Sequence, residues 1–489
     1  MSYLIAVDEG TTSARAMLYS LEKKKFVYTV QEELEQFFPH PAWVEQDAGE
    51  IYAKVVSLLV QCIEAADEPI LGIGLTNQRE TVVLWNKKTG RPLHRAIVWQ
   101  CRRTSDFCDK IGKAEREIIF QKTGLPVDAY FSASKIKWLL DHVKGARELA
   151  ERGELCCGTV DSYLIYKLTD GREFFTDYTN ASRTMLFNIN TLEWDKELLD
   201  FFDVPKGILP RVGSCTSRVG EFVYQDKVYP IAGIAGDQQS ALFGQGCFSE
   251  GQAKITYGTG MFLLFPTGKE RRDSKNGLIT TIGYSIGDEV VYAMEGSVFH
   301  AGSTVKWLRD ELGFFRTAAE TEALALSVED TGGVYLVPAF TGLGAPYWRG
   351  DARAIISGIS RGTDKRHITR AGLEAIAYSA RTLTDCMEQD SGISLKELRC
   401  DGGASANNFL MQFQADVLHV PLNRPKEVES TALGVVYLCA LALGIWNREE
   451  IEHLRQTDRV FVPSEDEERF DSLYRGYQRA VKQSLPQGE

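Results

Sequence analysis

Short apolar runs broken by small-residue turns dominate the chain. Residues 4–7 are wholly apolar, Asp8 to Ser13 are polar or small, and residues 16–18 are apolar again, which predicts a strand, a tight turn and a second strand. A third strand follows over 25–33, and Pro39-His40-Pro41 marks a loop. Over 50–66 the period changes: Ile51, Val55, Leu58, Leu59 and Cys62 recur at helical spacing behind an acidic start, predicting an amphipathic helix. Strands are expected over 70–75, 81–85 and 96–99, and β/α alternation continues to Gly236, where Asp237 opens a helix running to about 246.

After Ser249-Glu250-Gly251 the pattern restarts. A hairpin over 254–265, a strand over 290–294, a helix over 299–312, strands over 334–338 and 354–358 and a long helix over 367–388 lead to a strand ending in Asp401-Gly402-Gly403. Helices over 406–418 and 430–443 follow, and the charged tail from Ser464, with Ser464 as N-cap, reads as a surface helix. Hairpin first and β/α units afterwards, twice, indicates a duplicated topology without a fixed sequence period, with a joint near 248.

Composition narrows the class. The chain has 489 residues, 44% hydrophobic and 25% charged, which is ordinary for a globular protein and long enough for more than one domain. A net charge of −12 without basic runs argues against nucleic acid or an anionic membrane as main partner. No apolar run reaches the length of a membrane span, and no signal-peptide pattern precedes the first strand, so a cytoplasmic location is expected. Ten scattered cysteines without a Cys-x-x-Cys pair suggest neither disulfide nor zinc.

Three turns carry candidate chemistry. Asp8-Glu9-Gly10-Thr11-Thr12-Ser13-Ala14-Arg15 combines a carboxylate, a glycine, three hydroxyls and a guanidinium, which suits a phosphate chain with Mg²⁺, or is a plain polar hairpin turn. Tyr257-Gly258-Thr259-Gly260 and Asp401-Gly402-Gly403 repeat the small-residue turn in the second half. Gln78-Arg79-Glu80 joins two apolar strands without the Gly of a two-residue hairpin, so it reads either as a polyol-binding pair or as a solvent-facing loop. Asp237, after the small run 231–236, is either a general base for a substrate hydroxyl or an N-cap.

In order along nearly the whole chain, these motifs, together with Trp99-Gln100-Cys101-Arg102-Arg103, Asp177-Tyr178-Thr179-Asn180-Ala181-Ser182-Arg183-Thr184 and Phe340-Thr341-Gly342-Leu343-Gly344-Ala345-Pro346-Tyr347-Trp348, resemble the FGGY family of carbohydrate kinases within the actin-like ATPase superfamily. The resemblance implies an α/β fold of two actin-like (ribonuclease H-like) ATPase domains, 1–247 and 248–489, each a mixed sheet flanked by helices, with the active site in the interdomain cleft. Asn77 to Thr81 with Asp237-Gln238 resemble the members that phosphorylate glycerol to sn-glycerol 3-phosphate. By that likeness Arg79, Glu80, Tyr130, Asp237 and Gln238 would bind glycerol hydroxyls, and Trp99 and Phe262 would wall its carbons. Asp237 would be the base, and Asp8 and Asp237 would hold Mg²⁺. Thr11, Thr12, Ser13 and Arg15 would contact ATP or ADP from the first domain, and Thr259, Gly302, Gly403 and Asn407 from the second. A homodimer or homotetramer is implied as well. The open alternatives are a kinase for another polyol or a ketose such as xylulose, and an actin-like ATPase without an acceptor.

The chain departs from the family pattern at three places. Glu9 stands where glutamine is more usual, placing a negative charge beside the phosphates, and Lys306 stands where relatives carry glutamine. The segment 222–229 has neither the Gly-Arg element of a fructose-1,6-bisphosphate site nor a histidine, so neither effector binding nor histidine phosphorylation is expected there.

Overall fold

The computed structural model describes residues 2–486. The opening strands form as the apolar pattern dictates: β1 (Tyr3–Glu9), β2 (Ser13–Ser20) and β3 (Lys25–Glu33) are an antiparallel meander. α1 (Ala48–Ala65) begins at Asp47, whose carboxylate accepts from the N–H groups of Gly49 and Glu50. After α1 the chain returns as β4 (Ile70–Asn77), parallel to β1, and later as the hairpin β5 (Arg218–Tyr224) and β6 (Lys227–Gly236), with β6 parallel to β4. The sheet order is β5-β6-β4-β1-β2-β3.

The second half repeats the plan. β7 (Gln252–Tyr257), β8 (Met261–Gly268), β9 (Ile279–Ile286) and β10 (Glu289–Val298) are antiparallel neighbours. Then β11 (Glu397–Asp401) and β12 (Leu422–Pro425) add in parallel, and β13 (Thr457–Phe461) closes the edge. The order is β9-β10-β8-β7-β11-β12-β13. Each sheet is thus a meander extended by parallel strands. A smaller four-stranded sheet, built from Glu45–Gln46, Val82–Asn86, Ala96–Ile97 and Leu155–Thr159, supports the first.

The helices that matter for the site are α2 (Asp237–Gly244), α3 (Gly302–Asp310), α4 (Lys365–Ser391), α5 (Asn408–Leu418), α6 (Ser430–Ala442) and α7 (Glu467–Ser484). β1 is buried on both faces. Ile5 and Val7 pack with Val55 and Leu59 of α1, while Leu4 and Ala6 pack with Val435 and Leu438 of α6. α6 therefore belongs to the second half by sequence but covers the first sheet. Its residues 432–440 are buried throughout, which fits its all-round apolar sequence.

Several expected boundaries move. The strand expected over 96–99 is only Ala96–Ile97, the helix expected over 299–312 is Gly302–Asp310, and 406–418 is a short 3₁₀ turn, Gly403–Ala406, ahead of α5. Ser464 does not cap the last helix: Asp466 does, accepting from the N–H of Arg469, while the Ser464 hydroxyl accepts from the N–H of Asp466. Nor is α7 a surface helix alone, because Phe470, Tyr474 and Tyr477 bury into the core around α4 and α5. The charged face dominates its composition and hides the apolar stripe. Among the described residues no helix is long and apolar enough to cross a membrane.

Candidate active site

The strand register assembles the first half of the site. Gly236, Asn77 and Glu9 lie in one row across the parallel strands β6, β4 and β1. The carboxyl ends of these strands therefore deliver Asp8, Gln78-Arg79-Glu80 and Asp237-Gln238 to one place, the usual ligand position of an open α/β sheet.

Gln78-Arg79-Glu80 is not a solvent loop. Arg79 is only 3% exposed and Glu80 1%. Arg79 donates through both terminal nitrogens to Glu295 of β10, at 2.5 and 3.0 Å, and to Oε1 of Gln239 at 3.1 Å. Its Nε lies 3.3 Å from Asp237 Oδ1. Glu80 sits in the left-handed region, with φ of 60°. That conformation is costly for a non-glycine residue. Ser132 Oγ holds it there by donating to the Glu80 carbonyl at 3.1 Å, with Lys135 Nζ at 3.4 Å. The Glu80 carboxylate accepts from Arg183 Nε at 2.5 Å, and Arg183 also donates to Glu295 at 3.0 Å. Two guanidiniums and two carboxylates thus interlock through direct contacts. Burial pushes the Glu295 carboxyl up, but Arg183 and Arg79 more than offset it and hold it down at about 2.

Asp237 is the first residue of α2 and does not cap it. The cap position is Gly236, and no side chain caps this helix. A Cβ at Gly236 would meet Arg79 Cγ at 2.7 Å, so glycine there leaves the path of Arg79 clear. The Asp237 side chain keeps 30% of its surface exposed. Burial raises its carboxyl above the ordinary aspartate range, opposed chiefly by Arg79. Gln238 accepts from Lys254 Nζ at 2.6 Å. Burial brings the Lys254 ammonium down to about 8.

Of the aromatic residues expected at the site, Trp99 and Tyr130 come together while Phe262 lies on a strand of the second half. Trp99 and Tyr130 meet edge to face at 5.6 Å, and the Trp99 indole N–H donates to Thr11 Oγ1 at 2.9 Å. Phe262 comes from β8, opposite Thr256 and Ser297, and packs in the cluster around Phe243 and Leu264.

Arg15 is already committed. It donates to Asp8 at 2.5 Å and to Glu429, just ahead of α6, at 2.6 Å. It orients Asp8 more directly than it offers itself to a phosphate. The turn closes by Gly10 N–H donating to the Ser13 carbonyl at 2.9 Å, which leaves Thr12 exposed. Glu9 corrects the expectation of added negative charge: it is fully buried, accepts from Gln78 at 2.8 Å, and burial lifts its carboxyl to about 8, so it is neutral at pH 7.

The second half brings Thr259, Gly302 and Gly403 together by the same logic. Thr256 and Asp401 are partners in the parallel pair β7–β11, so the turns after both strands are neighbours. The Thr259 carbonyl accepts from the N–H groups of Ala301 and Ser303, both at 3.0 Å, and a Cβ at Gly302 would meet the Gly258 carbonyl oxygen at 2.6 Å. Gly403 and Thr259 are exposed. Asn407 has a structural duty, accepting from Leu410 N–H as the cap of α5 and donating to Thr321 at 3.1 Å.

Sequence reasoning missed Glu295 and gave Lys254 and Arg183 no role. Lys254, Leu264 and Glu295 form one row across β7, β8 and β10 on the face turned to the first half. The available signal was a lone charge inside an apolar strand, at Ala253-Lys254-Ile255 and at Met294-Glu295-Gly296.

Mg²⁺ takes one or two carboxylates together with substrate phosphates. Asp8 and Asp237 fit that donor set: both are carboxylates at the carboxyl ends of β1 and β6, the two strands that flank β4, and Asp8 lies close enough to raise the proton affinity of Asp237. Two similar sheets, small-residue turns at the strand ends of both, and a buried charged cluster beside a partly exposed aspartate define a two-domain phosphotransferase of the actin-like fold.

Comparison with known proteins identifies the branch. The family model for the N-terminal domain of the FGGY family of carbohydrate kinases matches residues 3–244, and that for the C-terminal domain matches 253–443. Glycerol kinase of Caldanaerobacter subterraneus is 52% identical over 100% of this chain and 99% of its own, and glycerol kinase of Thermus thermophilus is 51% identical over 99% of each. The crystal structure of Plasmodium falciparum glycerol kinase with ADP superposes with a TM-score of 0.94 at 37% identity, covering 100% of this chain and 99% of that one. A xylulose kinase from Lactobacillus acidophilus shares the fold, with a TM-score of 0.88 at 22% identity. The chain belongs to the FGGY family of carbohydrate kinases.

Proposed function

We propose that this chain transfers the γ-phosphoryl group of ATP to glycerol, giving sn-glycerol 3-phosphate and ADP. The observation that carries the reading is Asp237: a partly exposed carboxylate that caps nothing, fixed beside buried Arg79 between the pocket and the nucleotide turns. The curated relatives named as glycerol kinases at about half identity over full length support the acceptor.

Arg79 and Glu80 offer a donor and an acceptor to vicinal hydroxyls, and Trp99, Tyr130 and Phe262 close on the carbon chain. Asp237 accepts the proton of the attacking hydroxyl as that oxygen bonds to the γ-phosphorus and the bond to ADP breaks. Its raised proton affinity suits a base working near neutral pH. Thr11, Thr12 and Ser13 from one half, and Thr259, Gly302 and Gly403 from the other, hold the phosphates and nucleoside. Mg²⁺ held by Asp8 and Asp237 would neutralise phosphate charge. We take 1–247 and 248–489 as the two units that close on the substrates, in a homodimer or homotetramer acting in the cytoplasm.

The test is ADP release from ATP·Mg²⁺ with glycerol, dihydroxyacetone, xylulose, gluconate or no acceptor. Glycerol-dependent turnover is expected. A ketose preference would redraw the pocket roles of Arg79 and Glu80, and equal turnover without acceptor would overturn the kinase reading. Asp237→Asn should lose about 10²-fold or more in kcat while still binding ATP.

A further inference from the structure

Lys254 lies in the middle of β7 between the buried residues Ala253 and Ile255 and has no exposed surface. A lysine in such a place is nearly always paired. Its partners lie at the seam between the halves: Nζ donates to Gln238 Oε1 at 2.6 Å and to Thr256 Oγ1 at 2.8 Å. Gln238 is the second residue of α2, directly after the proposed base.

An ammonium group only donates, and a carboxamide has one accepting and one donating end. With its oxygen committed to Lys254, the Gln238 side chain must turn its NH₂ the other way. We infer that Lys254 is a positioning residue that fixes the Gln238 carboxamide with its NH₂ toward the acceptor substrate, beside the Asp237 carboxylate. The pair then matches one hydroxyl: Asp237 accepts its proton while Gln238 donates to its oxygen. Without Lys254 the carboxamide is free to flip and present a second acceptor next to Asp237. This inference rests on the proposed placement of Gln238 in the polyol pocket. It adds that the choice of amide end is made by a residue from the other half of the chain.

A double-mutant cycle with Lys254→Met and Gln238→Ala tests it, reading KM for glycerol and for ATP separately. Lys254→Met should raise the glycerol KM about tenfold and leave the ATP KM within about twofold, in line with one lost hydrogen bond to substrate. In the Gln238→Ala background the same change should add less than about twofold. Full additivity would overturn the inference, because Lys254 would then act by another route. Gln238→Ala with an unchanged glycerol KM would overturn it together with the pocket role of Gln238, whereas the acceptor panel and Asp237→Asn report on the kinase reading independently. Gln238→Glu provides a check that leaves Lys254 in place: it keeps the contact but removes the donor, so its glycerol KM should rise, and an unchanged value would overturn the donor assignment.

Discussion

At the scale of single residues the site is decided by burial. Glu9 carries a charge in the sequence and none in the fold at neutral pH, because no cation comes near enough to compensate its desolvation and its Oε2 has no partner. A carboxyl whose folded value stands at about 8, above its ordinary 4.5, contributes stability that is complete below 4.5 and is lost as pH rises through 8. Glu9→Gln removes that loss. The variant should melt close to the unaltered chain at about pH 4.5 and higher by roughly 2 °C or more at pH 9. Parallel slopes of Tm against pH would show that Glu9 is ionised in the fold. The same dependence on burial explains what was legible in the sequence. Asp8, Asp237 and Gly403 stood out because small residues surround them. The burial of Arg79, which decides between a loop and a pocket, depends on Glu295, a residue more than two hundred positions away. No local pattern reports that distance.

At the scale of elements, most of the plan was visible: both opening hairpins, the amphipathic α1, the long α4 and the duplication follow from period and turn chemistry alone. What was hidden is where the elements dock. α6 reads as a core helix, but nothing in its sequence says that it crosses to the first sheet. Its crossing over α2 depends on two glycines. A Cβ on Gly434 would fall against the Ser240 carbonyl oxygen, and one on Gly244 against that of Ser430, both inside van der Waals contact. The two backbones approach as closely as glycine permits. Gly434→Ala must part the helices, and overpacking of this kind costs about 1–3 kcal/mol. Because α2 begins with Asp237, the strain reaches the proposed base. Gly434→Ala is expected to lower both Tm and kcat with little change in ATP binding. A normal kcat together with a lowered Tm would confine the effect to stability.

At the scale of the whole molecule, the two halves are joined by buried charge as well as by apolar packing. Glu295 is the link. It comes from β10 of the second half and binds Arg79 and Arg183 of the first, and all three residues are at most 3% exposed. Together with α6 lying on the first sheet, this makes independent unfolding of either half costly, so the chain should melt in one calorimetric transition. Removing one partner from a buried ion network costs about 3–5 kcal/mol, because the remaining charges stay desolvated. Glu295→Gln leaves the two guanidiniums with Glu80 as their one fully buried carboxylate partner and the partly exposed Asp237 beside Arg79. It should lower Tm at neutral pH, raise the glycerol KM through the loosened Arg79, and broaden or split the transition as the halves uncouple. The sign with acid is also fixed. A carboxyl held at about 2 stabilises the fold above its ordinary 4.5, and that stability is lost as pH falls toward 2. The unaltered chain should therefore lose Tm more steeply than Glu295→Gln between pH 5 and 3, the two curves converging in acid. Curves that stay parallel would mean that Glu295 is not the charged hub that holds the proposed polyol pocket and the two halves in register.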